Sequence, residues 1–188
     1  MRRALLESPI IVDSREQTPW LFDGLETRRQ KLEQGDYSLL DLEDVVAIER
    51  KTLGDYVSSI THGRERFLRE LSRMQRDVLY PIIFVEASRQ DIEDHLYRNN
   101  VHPNAVIGTA LSMWCDHGVP VWFAGSRRLA ERDAVRLFMN VERKERAGWQ
   151  REKQSQREFR QPTRSNSGRE TSGIQAKQDP LKKPRTCT

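Results

Sequence analysis

Val45-Val46-Ala47-Ile48-Glu49-Arg50-Lys51 opens with four consecutive apolar residues, most of them β-branched, and closes on three charges. A short apolar run of this kind reads as a strand buried on both faces of a sheet. Side chains alternate along a strand, so Val45, Ala47, Glu49 and Lys51 share one face, and Val46, Ile48 and Arg50 the other. A carboxylate and an ammonium therefore leave the end of a central strand side by side. Burying such charges without compensation is costly, so the strand end is expected to hold a metal, an anionic ligand or an ion pair. Upstream, Gly35-Asp36 can add a second carboxylate from a neighbouring strand, and Asp55 follows Lys51 after three intervening residues.

Around this strand the chain alternates between extended and helical patterns. Pro9-Ile10-Ile11-Val12 predicts a short buried strand ending at Asp13. Segments 29–32 and 37–40 predict extended chain on either side of a Gly35-Asp36 turn. Helices are predicted from Leu53 and over 64–77, where Phe67, Leu68, Leu71 and Met74 form an apolar stripe. Residues 81–86 read as another buried strand. Ser88 reads as the N-cap of a helix to Tyr97, with Asp91 in the capping-box position. A helix over 104–117, a strand over 119–124 and a last helix opened by Ser126 complete the body, the last with Ala130, Ala134, Leu137, Phe138 and Val141 on one face. Trp114, Trp122, Phe123 and Phe138 read as core, and Trp20 and Phe22 as loop residues partly buried against the sheet. Strands separated by helices predict an α/β class domain with three layers, α/β/α, around a central mixed sheet.

Gly35-Asp36, then twelve residues, Glu49-Arg50-Lys51, three more, and Asp55 closely resembles the signature of the XPF-type structure-specific nucleases, of the PD-(D/E)XK superfamily. Val12-Asp13-Ser14-Arg15-Glu16 is similar to that family's opening strand motif. Ser58-Ser59-Ile60 with Gly63-Arg64 resembles the segment after the triplet, and Phe84-Val85-Glu86 a later core strand. The resemblance runs from Ile10 to Glu142. It implies a restriction-endonuclease-like fold and a metal-dependent DNA endonuclease that cuts near branched or single-strand/duplex junctions, in DNA repair or recombination.

Such hydrolysis builds negative charge on phosphate oxygens. A divalent cation on oxygen ligands offsets that charge and acidifies water, and one or two carboxylates suffice to hold magnesium. Asp36 and Glu49, with Asp13 as a third carboxylate nearby, are the expected ligands of Mg²⁺ (or Mn²⁺). Lys51 is a compact donor for the attacking water or the transition state. Arg50 and Asp55 join the catalytic set, and Arg15 and Arg64 are expected to contact DNA. Arg50 points to the opposite strand face, where a carboxylate is an alternative partner, so its functional role rests on the resemblance alone.

Each of these residues also has a plainer reading. Asp36 fits an ordinary turn, Glu49 and Lys51 a same-face ion pair, and Asp55 a helix cap with Thr52. Asp13 can simply end a strand, with Arg15 and Glu16 paired at the surface. His62-Gly63-Arg64 fits a plain loop-to-helix junction as well as a phosphate contact. Glu86 closes a core strand and lies close to the site on this reading. No HExxH, phosphate loop or serine elbow is present, which argues against zinc-protease, ATP-motor and serine-hydrolase chemistry.

Relatives of this type commonly carry tandem helix-hairpin-helix modules, and some a helicase, neither of which is evident here. The resemblance also implies a homodimer through the nuclease domain, with the last helices as the candidate surface, or a partner chain supplying DNA-binding modules. The competing readings are a catalytically inactive DNA-binding scaffold subunit and a nuclease for four-way junctions or RNA. No apolar run is long enough for a membrane span, and Cys115 and Cys187 suggest no disulfide framework, so an intracellular setting is expected. From Ala147 on there are 10 Lys/Arg against 4 Asp/Glu, and before it 22 against 24, so the overall +4 divides into +6 and −2. Residues 1–146 are accordingly read as the nuclease domain and 147–188 as a basic, disordered tail, either solubilising or an arm on DNA phosphates.

Overall fold

The computed structural model describes residues 6–160. In chain order the elements are β1 (Ile10–Asp13), β2 (Thr27–Gln30), β3 (Tyr37–Leu39), β4 (Val46–Lys51), α1 (Leu53–Ile60), α2 (Arg64–Asp77), β5 (Tyr80–Val85), α3 (Arg89–Glu93), α4 (Pro103–His117), β6 (Val121–Phe123) and α5 (Arg127–Arg160). The strands form one mixed sheet in the order β2-β1-β3-β4-β5-β6. β3 runs antiparallel to β1 and β4, whereas β4, β5 and β6 are mutually parallel, as are β1 and β2. The strands β1, β4, β5 and β6 therefore all end at one edge of the sheet, and β3 begins there.

The alternation along β4 decides the layers. Val46 and Ile48 lie in a core with Ile10, Val12, Trp20, Tyr37 and the α5 residues Ala130, Ala134, Phe138 and Val141. Ala47 packs against Met74 and Val78 on the other side. On that same side Ile83 and Val85 of β5 meet Tyr56 and Val57 of α1, Phe67 and Leu71 of α2, and Val106, Ala110 and Met113 of α4. The result is the expected three-layer arrangement, with α5 on one face of the mixed sheet and α1, α2 and α4 on the other.

Local signals set several boundaries. Thr52 caps α1, its hydroxyl accepting from the Asp55 N–H. Ser88 and Asp91 close a reciprocal capping box at α3. That helix stops at Glu93 rather than Tyr97, because His95 adopts a left-handed φ of 57° that no helix accommodates. Segment 29–32 is paired earlier than expected, as Thr27–Gln30, and β1 lies between β2 and β3, so Gly35-Asp36 does not join neighbouring strands.

Two core assignments are corrected. Trp114 and Trp122 are 61% and 51% exposed. α4 buries Val106, Ala110 and Met113 instead, which turns Trp114 outward, and Trp122 sits on an edge strand with its indole N–H donating to Asp133. Trp20 and Phe22, expected to be half-buried, are fully buried.

The described residues up to Arg151 form one compact unit. α5 continues to Arg160, into the stretch read from the sequence as tail. Residues 161–188 of the expected tail lie outside the described residues. No helix among the described residues is long and apolar enough to cross a membrane.

Candidate functional site

Gly35 has φ +72°, and a Cβ there would lie 2.8 Å from the Ile48 carbonyl oxygen. Only glycine lets the chain pass this close to β4, and the approach is what delivers Asp36. The Asp36 N–H donates to the Ile48 carbonyl (2.7 Å), and Asp36 Oδ2 accepts from the Arg50 N–H (2.7 Å). The Asp36 carbonyl accepts from the Asp13 N–H (2.8 Å). Backbone bonds to two strand ends thus fix this carboxylate at the edge where β4 terminates.

Glu49 and Lys51 leave the same face of β4. Lys51 Nζ donates to Glu49 Oε1 at 2.6 Å and stands 5.3 Å from the centroid of the Phe67 ring on α2. Burial raises the Asp36 pKa to about 7, with the nearby charge of Glu49 the next contributor, against the lowering effect of the Arg50 N–H. Burial acts to depress the Lys51 ammonium, but the charge and hydrogen bond of Glu49 outweigh it and hold the pKa above its ordinary value. Lys51 is therefore a cation, close to two carboxylates that repel each other.

Arg50 lies on the opposite face, as alternation requires, and it does find a carboxylate. Its Nε and Nη2 donate to Glu86 Oε1 (2.7 Å) and Oε2 (2.9 Å), and Nη1 reaches Thr18 Oγ1 (3.2 Å) and Glu16 (3.5 Å). Glu86 also accepts from Trp20 Nε1 (2.8 Å) and Arg127 Nη1 (3.3 Å). Trp20 stacks on Tyr37 with centroids 4.5 Å apart, and its N–H donates to the Tyr37 hydroxyl. Arg50 is thus the centre of a clamp joining β4, the end of β5, loop 14–20 and the start of α5. Glu86 and Trp20 are the members that sequence reasoning left out of the site. The legible signal for Glu86 was a lone carboxylate ending the apolar run Pro81 to Val85.

Asp13 and Arg15 are committed to each other. Asp13 is 1% exposed, and its oxygens accept from the Arg15 N–H (2.7 Å), Nε (2.8 Å) and Nη2 (3.1 Å), and from the Leu32 N–H (2.7 Å). Four donors fill the four lone-pair sites of a carboxylate, which leaves Asp13 none for a cation. Arg15 donates further to the Leu32 carbonyl, so two of its nitrogens serve the loop rather than a ligand. Asp55 is exposed and engaged as a cap, accepting from the Thr52 hydroxyl at 2.7 Å. Arg64 is exposed at the start of α2, whose N-cap Gly63 supplies no side-chain bond.

Of the three carboxylates the sequence suggests for a metal, Asp36 and Glu49 are the two with an oxygen to spare. Each has one oxygen engaged and one without a hydrogen-bond partner among the described residues. No group of three or more His, Cys, Asp or Glu able to hold a metal ion occurs among the described residues. Two half-free carboxylates at a sheet edge suit a hard cation such as magnesium, which keeps most of its waters.

The model of the ERCC4 domain matches residues 12–131 of this sequence. The chain belongs to the ERCC4-domain family. ERCC4 domains of this kind are nuclease domains, and residues 12–131 include Asp36, Glu49, Lys51 and Glu86. Over 116 residues the chain is 34% identical to a putative ATP-dependent RNA helicase of Methanocaldococcus jannaschii, a match covering 61% of this chain but 13% of that protein. The chain thus corresponds to a small part of that relative. Among solved structures, XPF from Aeropyrum pernix superposes with a TM-score of 0.55 at 20% identity, over 69% of this chain and 64% of that one. The same protein in a complex with DNA gives 0.53 at 18% identity, over 75% and 66%. These likenesses establish that the ERCC4 domain here has the fold of the XPF nuclease.

Proposed function

We propose that this ERCC4 domain is a metal-dependent endonuclease acting on DNA near branches or single-strand/duplex junctions, in repair or recombination. The observation that carries the reading is the convergence of Asp36, Glu49 and Lys51 at one sheet edge. Two carboxylates there repel each other and each retains a free oxygen, and a cationic lysine stands beside them. Asp36 and Glu49 would hold the cation, Mg²⁺ or Mn²⁺. When bound, it supplies positive charge against the phosphate oxygens and acidifies water. Lys51, already charged and directed by Glu49, donates to the attacking water or to the phosphoryl oxygens as their charge develops. The Arg50 N–H holds Asp36 in place, and the Arg50 guanidinium, spent on Glu86, acts by positioning β4. Thr52 and Asp55 start α1 immediately after the lysine, and Arg64 is the exposed cation left to meet a phosphate.

The DNA complex of the A. pernix protein supports DNA as the substrate class. A homodimer is proposed through the last helices, of which α4 exposes Leu111 and Trp114; a partner chain would instead supply further DNA-binding modules.

The test is incubation of the purified chain with end-labelled fork, flap, four-way-junction, linear duplex and RNA substrates in Mg²⁺, Mn²⁺ or EDTA, beside Lys51→Ala. Cleavage next to the junction that requires metal and falls at least about 10²-fold in the variant is expected. Binding without cleavage in any metal would replace this reading with an inactive scaffold. Preferential cutting of four-way junctions or RNA would replace the substrate.

A further inference from the structure

Beyond the end of α1 lies a concavity that plays no part in the chemistry above. It is a cleft of about 500 Å³ lined by His62, His95, Tyr97, Arg98, Asn99 and Asn100. α1 starts two residues after Lys51 and is eight residues long, so at 1.5 Å per residue its far end lies about 12 Å on. His62 follows that end, and the other five residues follow α3 beyond β5. About one length of α1 therefore separates Lys51 from the His62 side of this cleft.

Its lining is chemically selective. Among the described residues none is acidic; the set holds two imidazoles, a phenol, a guanidinium and two carboxamides. The rings of His95 and Tyr97 stack at 4.3 Å and 21°, with His95 outermost and exposed. The stack is built with care for its geometry. His95 is one of three non-glycine residues at positive φ among the described residues, and its Nε2 is hydrogen-bonded with the Asn99 carbonyl at 2.6 Å. The Tyr97 hydroxyl donates to the Val101 carbonyl (2.9 Å), and Asn99 accepts from the Val101 N–H (2.9 Å). Across the cleft, the Asn99 amide donates to the Thr61 hydroxyl (3.4 Å), which also contacts Nδ1 of the adjacent His62 (3.2 Å). Strained backbone held by this many bonds is characteristic of ligand clamps. The volume falls within the range of small-ligand sites.

We infer that this cleft binds one unpaired nucleotide of the DNA substrate, its base stacked on the exposed face of His95, which Tyr97 backs, and its phosphate on Arg98. A paired base presents no free face to the stack, so the cleft reads single-stranded character beside the cut. The inference rests on the DNA-nuclease reading and deepens it, by naming what distinguishes a junction from plain duplex.

The test uses the full chain in EDTA, where binding is separated from cleavage. The probes are a short oligothymidylate with one internal 2-aminopurine and a blunt duplex containing the same strand. The variants are His95→Gly, which accepts the positive φ while removing the ring, and Arg98→Ala, which breaks no hydrogen bond of the fold. Single-strand Kd is expected to rise about tenfold in His95→Gly, with loss of the 2-aminopurine fluorescence change on binding and little effect on duplex. Arg98→Ala is expected to weaken single-strand binding and reduce its salt slope by about one phosphate. Wild-type single-strand binding and fluorescence in both variants would overturn the inference, as would parallel loss on duplex, which marks a general DNA surface. A wild-type chain that does not bind the single strand would overturn the cleft inference, whereas failure to cleave fork and flap DNA in any metal would sink the nuclease reading itself. Metal-dependent cleavage with unaltered binding by the variants would sink only the cleft.

Discussion

Replacing Arg50 with alanine removes the partner of a carboxylate that the fold has taken almost completely out of water. The Arg50 and Glu86 side chains are 11% and 9% exposed and joined by two bonds, of 2.7 and 2.9 Å. Deleting one member of a buried pair typically costs about 3–5 kcal/mol, because the other charge is left uncompensated. Glu86 would keep the Trp20 indole N–H and Arg127, which places the expected cost of Arg50→Ala near the lower end, about 3 kcal/mol. With a urea m-value of about 2 kcal/mol/M, the midpoint should fall by about 1.5 M. Arg50→Lys keeps the charge but loses the planar two-point contact, so it should recover only part of the difference. Urea denaturation followed by circular dichroism, on Arg50→Ala, Glu86→Ala and the double variant, closes a double-mutant cycle. The expected coupling is at least about 1.5 kcal/mol. Because the backbone N–H that holds Asp36 survives in all three, cleavage under native conditions should exceed that of Lys51→Ala. An Arg50→Ala cost below about 1 kcal/mol, with additive effects, would refute the clamp and return Arg50 to the catalytic group.

Gly35→Ala should destabilise by about 2–4 kcal/mol and depress cleavage as well, since it combines left-handed strain with a 2.8 Å approach to backbone; an unchanged urea midpoint would show that the Asp36 segment can move freely. Asp13, Glu86 and Glu142 all hold pKa values below their ordinary ones: burial opposes this, but the hydrogen bonds of Arg15, of Arg50 and of Ser8 respectively prevail. Their stabilisation is full above the ordinary carboxylate range and is lost as pH falls through the lowered folded values, so Tm should drop steeply below about pH 4, and less so in Glu142→Gln. A pH-independent Tm there would contradict the pairing. Mg²⁺ at tenfold its Kd should stabilise the chain by about 1.4 kcal/mol, raising Tm by about 3–5 °C, and Asp36→Asn or Glu49→Gln should abolish the rise; a rise that survives both would place the metal elsewhere.

Much of the architecture was legible because its determinants are local. The alternation along Val46–Lys51, the apolar stripe of 64–77 and the caps at Thr52 and Ser88 each act within a few residues, and the structure places those elements as read. Exposure of Trp114 and Trp122 was not legible, since it depends on which side of α4 meets the sheet and on β6 being an edge. Composition likewise spoke only weakly on 147–160, where a polar sequence suits an exposed helix as well as an irregular chain.

The sequence alone determined that two carboxylates and a lysine would be carried toward one strand end, because side-chain alternation and the Gly35-Asp36 pair are properties of adjacent residues. It could not apportion the remaining charges. Asp13 is consumed by Arg15 two residues on and by the Leu32 N–H 19 positions away, and Arg50 by Glu86, 36 positions away. Whether a buried charge is free to act depends on which donors the packed chain brings within hydrogen-bond distance. That is a property of three-dimensional proximity, and only the tertiary structure decided it.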